Sequence, residues 1–196
     1  SQNQVEGYIK LNGSNMSQSI TVSIPELKIE KKFQSNEHGF APVQFQLDKA
    51  TLWSPETPKL YEVKIVAGES TIEDKIGFRT IETKGSDLLL NGKKIFLRGI
   101  CIHEENGIRG DRAWSEEDAR MLLNRVKELN CNFVRLAHYP HNENMIREAE
   151  KMGIMVWEEI PVYWTIDWAN EATYKNAEAQ LSDMIKRDIN RVNVII

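Results

Sequence analysis

The sequence predicts a mixed fold, in which an all-β sandwich is followed by an α/β domain built on parallel strands. Two observations lead to this prediction. Through residues 1–84, short runs of alternating apolar and polar residues are separated by turn residues, as in antiparallel sheets with one buried face. From residue 85 onward, apolar strands alternate with helical patterns, as in a parallel sheet covered by helices. We therefore predict domains over residues 1–84 and 85–196.

Six alternating runs make up the predicted sandwich: residues 5–11, 19–24, 27–33, 43–47, 60–66 and 71–78. Asn12-Gly13 directly follows the first run and is a strong signal for a hairpin to the second. The sandwich half contains no catalytic constellation, and its one histidine, His38, falls in a predicted surface turn.

The second half begins with a near-continuous apolar run over 94–102, typical of a parallel strand covered on both faces. Ser115 and Asp118 resemble a capping box, with Asp in the usual Glu place, before a helix with apolar residues at 119, 122, 126 and 129. Strands at 132–140, at 154–157 and from 192 alternate with helices over 145–152, ended by Gly153, and 174–189.

This alternation fits either a doubly wound sheet or a (β/α)8 barrel. A closed barrel needs roughly 200 residues or more, and 112 residues follow Lys84. We therefore expect the chain to be a fragment, with a sandwich and the N-terminal half of a barrel truncated after about four strands.

The composition excludes several classes of protein. Hydrophobic residues make up 41% and charged residues 28%, which is ordinary for a globular protein. The net charge of −4 gives no reason to expect nucleic acid, and no apolar run approaches the ~20 residues of a membrane span. Cys101 and Cys131 are too few for a disulfide scaffold, and we expect free buried thiols.

Polar and aromatic residues gather where the predicted parallel strands end, which is where α/β barrels carry their chemistry. Aromatic rings beside carboxylates and hydrogen-bond donors suit a sugar. These candidates are His103, Glu104, Arg135, His138, Tyr139, Glu159, Tyr163 and Trp164.

Structural interpretations of the same residues stay open. Arg135 could pair with Glu158 or Glu159 for stability alone, and Glu104 and Glu105 could be solvated loop acids, which we prefer for Glu105. His103, Glu104, His138 and His141 could in principle bind zinc, but the sequence lacks a His-x-x-x-His helix spacing. We predict no metal and no cofactor.

Several motifs resemble glycoside hydrolase family 2, which includes β-galactosidases, β-glucuronidases and β-mannosidases. The most specific is Asn132-x-x-Arg135 followed by His138-Tyr139-Pro140, with Gly153 and an apolar strand behind it. Residues 52–61 resemble a segment of the family's immunoglobulin-like domain, ahead of its TIM barrel. Further resemblances cover 77–82, 90–93 and 97–104. Leu136 and Glu150 depart from the family pattern.

The resemblance implies a retaining exo-β-glycosidase with two catalytic glutamates, an acid/base and a nucleophile, roughly 5 Å apart. Both are expected beyond Ile196, so no catalytic residue is assigned and this chain alone is predicted inactive. The family's sugar-binding domain and the first sandwich strand are also expected to lie outside the chain.

For the candidates, the resemblance implies that His103 and His138 bond sugar hydroxyls and that Arg135 orients the catalytic carboxylates. Glu159 would support Arg135, while Tyr163 and Trp164 would wall the entrance.

The implied substrate is an oligosaccharide, polysaccharide or glycoconjugate with a terminal β-linked sugar. We favour a β-galactosidase, with β-glucuronidase as the alternative because residues 103–110 are similar to a β-glucuronidase loop. A non-catalytic carbohydrate-binding or interaction fragment is the alternative of another class. Homo-oligomerisation of the intact enzyme, and a cytoplasmic or periplasmic location, stay open.

Overall fold

The computed structural model describes residues 4–13 and 15–196, so the predictions for 1–3 and 14 lie outside the described residues. The chain divides into two compact units, one formed by residues 1–52 and 60–78 and the other by 53–59 and 79–196. The first unit is all-β and the second is α/β, so the predicted mixed fold is confirmed.

All six predicted strands of the first unit are present. They are β1 (Gln4–Lys10), β2 (Ser19–Ile24), β3 (Ile29–Gln34), β4 (Phe40–Gln46), β5 (Tyr61–Ala67) and β6 (Ser70–Ile76). All pairings are antiparallel: β1 pairs with β4, and the other sheet has the order β3-β2-β5-β6. The alternating inward residues form the core: Val22, Ile24, Phe45, Leu47, Tyr61 and Val63.

The hairpin predicted at Asn12-Gly13 is wrong. Strand β1 pairs with β4, and β2 belongs to the other sheet. Val5 and Ile9 of β1 pack against the core cluster that contains Val22 and Ile24 of β2. The two strands thus contribute to one core from different sheets, because burying both apolar faces outweighs the local turn signal.

The predicted strand over 94–102 is broken in the second unit. A three-stranded antiparallel sheet comes first, with β7 (Ile81–Lys84), β8 (Asp87–Leu90) and β9 (Lys93–Ile95), and β10 begins only at Gly99. The break is stabilised by the Asn132 amide, which donates to the Phe96 carbonyl at 3.0 Å and accepts from the Arg98 N–H at 2.9 Å. Side-chain hydrogen bonds replace the strand ladder here.

The rest of the unit alternates strands and helices. Its elements are β10 (Gly99–Ile102), β11 (Glu105–Asn106), β12 (Asp111–Arg112), α1 (Glu116–Glu128), β13 (Phe133–Leu136), α2 (Glu143–Met152), β14 (Met155–Glu158) and α3 (Glu171–Asp188). β10, β13 and β14 form a parallel sheet in that order, and residues 193–196 continue it by backbone hydrogen bonds to β14. The expected fourth strand position is therefore occupied.

The local signals for two helices are confirmed. The Ser115 hydroxyl accepts from the Asp118 N–H while the Asp118 carboxylate accepts from the Ser115 N–H, which completes the capping box of α1. α2 ends at Gly153 with φ +70°, and a Cβ there would lie 2.4 Å from the Pro55 carbonyl oxygen. Only glycine therefore fits this position.

The helices α1 and α2 cover one face of the parallel sheet, with Leu123, Val126 and Ile146 fully buried against Val134 and Leu136. For α3 the predicted helix is present, but its apolar residues at 174, 181 and 189 are exposed, whereas Met184 and Asp188 are buried. Among the described residues, no helix has the length and apolarity needed to span a membrane.

Candidate active site

The uncovered face of the parallel sheet presents a row of three side chains. Cys101 of β10, Arg135 of β13 and Trp157 of β14 are register partners, so their side chains point to the same face. The Arg135 guanidinium carbon lies 5.0 Å from the centre of the Trp157 ring. This cation–π contact holds the guanidinium against the indole ring.

Arg135 binds Glu159, which follows β14 directly. Its Nε and Nη2 atoms donate to the two carboxylate oxygens of Glu159, each at 2.9 Å. The open question of the partner is therefore decided for Glu159 over Glu158. Glu159 raises the pKa of the Arg135 guanidinium further above its usual value, so the guanidinium stays charged.

His138 completes this cluster from the end of β13. Its Nδ1 lies 2.9 Å from Glu159 Oε1 and 3.4 Å from Arg135 Nη2. Because Glu159 accepts at that nitrogen, Nδ1 carries the proton and Nε2 remains available to a ligand. The structure thus brings together three of the predicted residues.

Aromatic rings surround His138. The His103 ring lies edge-on to it with centroids 5.3 Å apart, and the Tyr163 ring is tilted against it at 5.5 Å. Tyr139 meets His103 edge-on at 6.4 Å. Six of the eight predicted site residues therefore form one contiguous group.

Glu104 is buried, so the interpretation of this residue as a solvated loop acid is wrong. Its side chain is fully buried, and it accepts from the Arg112 side chain and from the Asn142 N–H. Because Asn142 caps α2, Glu104 ties the segment after β10 to the start of that helix.

The neighbouring Glu105 is exposed, as preferred, but its Oε1 lies 3.9 Å from the Nδ1 of His103. Sequence reasoning missed this proximity, because a turn of unknown geometry separates the two side chains.

Trp164 is 91% exposed, and the structure shows no ring contact between it and the other described candidates. His141 is fully buried: its Nε2 bonds the Ala137 carbonyl at 3.0 Å, and burial lowers its pKa. The described residues include no group of three His, Cys, Asp or Glu side chains placed to bind a metal. Cys101 and Cys131 are both free, as expected, but Cys101 is exposed and Cys131 is partly exposed, so the expectation that they are buried is wrong.

A second carboxylate cluster fixes the loop after His103. The Arg109 guanidinium donates to both oxygens of Asp118 at 2.6 and 2.8 Å, and the Asn106 amide donates to the same carboxylate at 2.7 Å. These hydrogen bonds, of which the one from Arg109 has the largest effect, hold the pKa of Asp118 well below its usual range. The capping box could be predicted from sequence, but the link to Arg109 could not.

Comparison with known proteins identifies the family. The family model for the TIM barrel domain of glycosyl hydrolases family 2 matches residues 81–196. A second family model, described as glycosyl hydrolases family 2, matches residues 1–79. The chain belongs to glycosyl hydrolase family 2. Within it, the first unit is the immunoglobulin-like domain and the second is part of the TIM barrel, as the sequence predicted.

Relatives in family 2 carry two kinds of name. A β-galactosidase of Thermoanaerobacterium thermosulfurigenes is 36% identical over 74% of this chain and 20% of its own length. A β-glucuronidase of Paenibacillus borealis is 32% identical over 91% of this chain and 34% of its own length. The chain thus spans between about a fifth and about a third of the length of these family 2 proteins.

Solved structures of family 2 members superpose on nearly the whole chain. A β-galacturonidase from Eisenbergiella tayi matches 97% of this chain and 36% of its own, with a TM-score of 0.82 at 26% identity. The β-glucuronidase 3 of Bacteroides uniformis matches 99% and 25%, with a TM-score of 0.80 at 29% identity.

Glu150, one of the two departures from the family 2 pattern, is buried in α2. Its carboxylate accepts from Arg191 at 3.1 Å and from the Val192 N–H at 2.8 Å, and its carbonyl accepts from the Trp53 indole at 3.0 Å. Glutamate fits this position because both carboxylate oxygens have donors.

Proposed function

We propose that the full-length protein containing this chain is a retaining exo-β-glycosidase and that the chain supplies part of the subsite for the terminal sugar. One observation carries the proposal. Glu159 joins Arg135 and His138 at the carboxyl ends of adjacent parallel strands, beside the rings of His103 and Tyr163. Because the chain belongs to glycosyl hydrolase family 2, we interpret this cluster as part of a sugar-binding site.

The cluster suits sugar hydroxyls. His138 keeps Nε2 for a hydroxyl group because Glu159 binds its Nδ1. His103 is half-exposed beside it and offers a second imidazole. Hydrogen bonds of this kind accelerate glycoside hydrolysis when they strengthen as positive charge develops on the sugar ring.

Arg135 places a fixed positive charge next to these imidazoles. In the proposed enzyme it orients the catalytic carboxylates and favours the ionised form of the nucleophile. Glu159 serves as its support, and Glu104 and Tyr139 stabilise the surrounding segments. Tyr163 and Trp164 wall the entrance.

Neither Glu158, the last residue of β14, nor Glu159, which follows it, is assigned to catalysis. Glu158 is 5% exposed, and both oxygens of Glu159 are bound by Arg135. A nucleophile must reach the anomeric carbon with a free oxygen, and an acid must reach the leaving group. We therefore expect the 196-residue chain alone to have no glycosidase activity.

A terminal β-galactoside is the first substrate proposed, as for the bacterial β-galactosidase relative. A β-uronide is the second, because both structural relatives described above are uronidases. The kcat/KM of the full-length protein for chromogenic β-galactoside, β-glucuronide and β-galacturonide decides between them.

The site assignment is tested by His138→Ala with His38→Ala as the matched control. His38 is an exposed histidine of the first unit. We expect His138→Ala to reduce kcat/KM tenfold or more and His38→Ala to leave it unchanged. Equal activity of both variants would contradict the assignment.

A further inference from the structure

A charged cluster with two buried carboxyl groups lies at the end of β14, on the side of α3. Arg187 donates through Nη2 to Glu158 at 2.8 Å and through Nε to Asp188 at 2.5 Å. Its Nη1 donates to the backbone carbonyl of His141 at 2.9 Å. One guanidinium therefore joins three segments: the end of α3, the end of β14 and the segment after β13.

Two of these segments carry the proposed sugar subsite. Glu158 precedes Glu159, and His141 follows His138 by three residues. Glu159 and His138 are bonded to each other on the uncovered side of the sheet. Arg187 thus connects the two backbone segments that carry Glu159 and His138, whose side chains meet in the site.

The cluster contains one more carboxyl group than guanidinium. Glu158 and Asp188 are both 5% exposed, and the one guanidinium of Arg187 binds both of them. The single positive charge of Arg187 cannot balance two ionised carboxylates, so a proton on the pair lowers the cost of burying both. Two carboxyl groups in contact share a proton because both cannot ionise at low cost.

Among the described residues, Arg187 is the cation that binds Glu158. Arg187 and Asp188 face it from α3, and Leu136 is its register partner on β13. Arg191, in the turn after α3, binds Glu150. Burial first, and then Asp188, raise the pKa of Glu158 to about 8, against the opposing effect of Arg187.

We propose that Arg187 is a positioning residue of the sugar subsite and that its arrangement depends on one proton shared between Glu158 and Asp188. Loss of that proton places two negative charges in contact, separates the carboxylates and admits water between β14 and α3. The segments that carry Glu159 and His138 then lose their common anchor. The effect on activity rests on the proposed function, whereas the shared proton does not.

The proton is tested directly by infrared spectroscopy of the full-length protein between pH 6 and 10. We expect the C=O stretch of a protonated carboxylic acid to disappear near pH 8. The signal should be absent in Glu158→Gln and unchanged in Asp183→Asn, a matched control because Asp183 is an exposed carboxylate of the same helix. A spectrum of Glu158→Gln identical to that of the unmodified protein would overturn the shared proton.

The pH profile of kcat/KM tests the consequence for the site. Glu158→Gln mimics the protonated form, so it should retain activity near pH 7 and move the alkaline decline upward by a pH unit or more. Asp183→Asn should keep the original profile. Two unchanged profiles would overturn the dependence of the site on this proton.

The positioning role is tested by crystal structures of Arg187→Lys and Arg187→Ala. We expect the bond between His138 and Glu159 to lengthen or break in Arg187→Ala, with partial recovery in Arg187→Lys. Retention of both the His138 and Arg135 bonds to Glu159 in Arg187→Ala would overturn the role. This result is independent of turnover, so a protein that hydrolyses no glycoside would refute the proposed function and still leave this test decisive.

Discussion

The two units of the chain bury different kinds of side chain. Among the described residues of the immunoglobulin-like unit, Ser35 is the one polar residue that is buried. The ion pairs of this unit, such as Lys64–Glu73, are exposed. The barrel unit buries ten polar or charged residues: Glu104, Asn106, Asp118, His141, Glu148, Glu150, Glu158, Asp188, Arg191 and Asn193. The difference coincides with the location of the proposed site.

Burial of polar and charged side chains has a free-energy cost in the barrel unit that is nearly absent in the immunoglobulin-like unit. A buried charge is unfavourable unless it is paired and hydrogen bonded, and loss of one partner leaves the other exposed to the full penalty. In return, each carboxylate has a fixed position, which a site for oriented hydroxyl groups needs. Stability in this unit therefore depends on individual partners, and in the immunoglobulin-like unit on buried apolar area.

The largest effect is expected from breaking a buried pair in the barrel unit. Glu150→Gln removes the charge that faces Arg191, which is itself 5% exposed. We expect the free energy of unfolding to fall by about 3 kcal/mol, since removal of one partner of a buried pair typically costs that much. Denaturant unfolding measures it, and a loss below about 1 kcal/mol would show that the pair behaves like a surface pair.

Arg135→Ala is expected to act on activity. It removes the guanidinium that binds both oxygens of Glu159, and among the described contacts of that largely buried carboxylate it leaves the one with His138. We expect kcat/KM to fall tenfold or more, about 1.4 kcal/mol or more of lost transition-state stabilisation. Lys64→Ala, in the immunoglobulin-like unit, is the control, and equal turnover by the two variants would remove Arg135 from the site.

Asp118→Asn sharpens the comparison through pH. The folded protein keeps the pKa of Asp118 below its usual range, so the carboxylate stabilises the fold above about pH 4, its unfolded value. That stabilisation is lost as the pH falls through the lower, folded pKa. The Tm of Asp118→Asn should therefore lie below that of the unmodified protein at pH 6, and the gap should narrow steadily below pH 4.

The control for this measurement is Asp183→Asn, which removes an exposed carboxylate from α3. Its Tm should follow that of the unmodified protein at every pH. A gap for Asp118→Asn that stays constant with pH would mean that its charge contributes nothing.

The smallest effect is expected on the immunoglobulin-like unit. Glu73→Gln removes an exposed partner of Lys64, and such pairs contribute no more than about 1 kcal/mol. Its cost in denaturant should be well below that of Glu150→Gln. A similar loss in the two variants would break the comparison between the units.

Local patterns predicted most of the fold. The six strands of the immunoglobulin-like unit follow from period-two alternation, and α1 and α2 follow from the Ser115 cap and Gly153. The wrong hairpin at Asn12-Gly13 and the broken strand before Gly99 depend on distant partners, β4 in one case and Asn132 in the other. A turn signal or an apolar run carries no information about them.

The candidate site was predictable to the extent that strand ends converge. Parallel strands bring His103, Arg135, His138 and Glu159 to one edge, and the motif spacing indicated as much. Sequence could not show which carboxylate binds Arg135, because Glu158 and Glu159 are adjacent and differ only in the face they occupy. Nor could it place Arg187 behind the site, since that residue lies 29 positions from its partner Glu158.

One contact connects the first residue of the barrel unit's main segment to its last strand position. Arg79 donates to the carbonyls of Val192 and Val194 at 2.6 and 2.8 Å, across 113 and 115 positions of sequence. During synthesis at about 5–20 residues per second, the guanidinium waits on the order of ten seconds for these acceptors to be made. The edge next to β14 can therefore form only after the residues of the helices α1, α2 and α3 have all been synthesised.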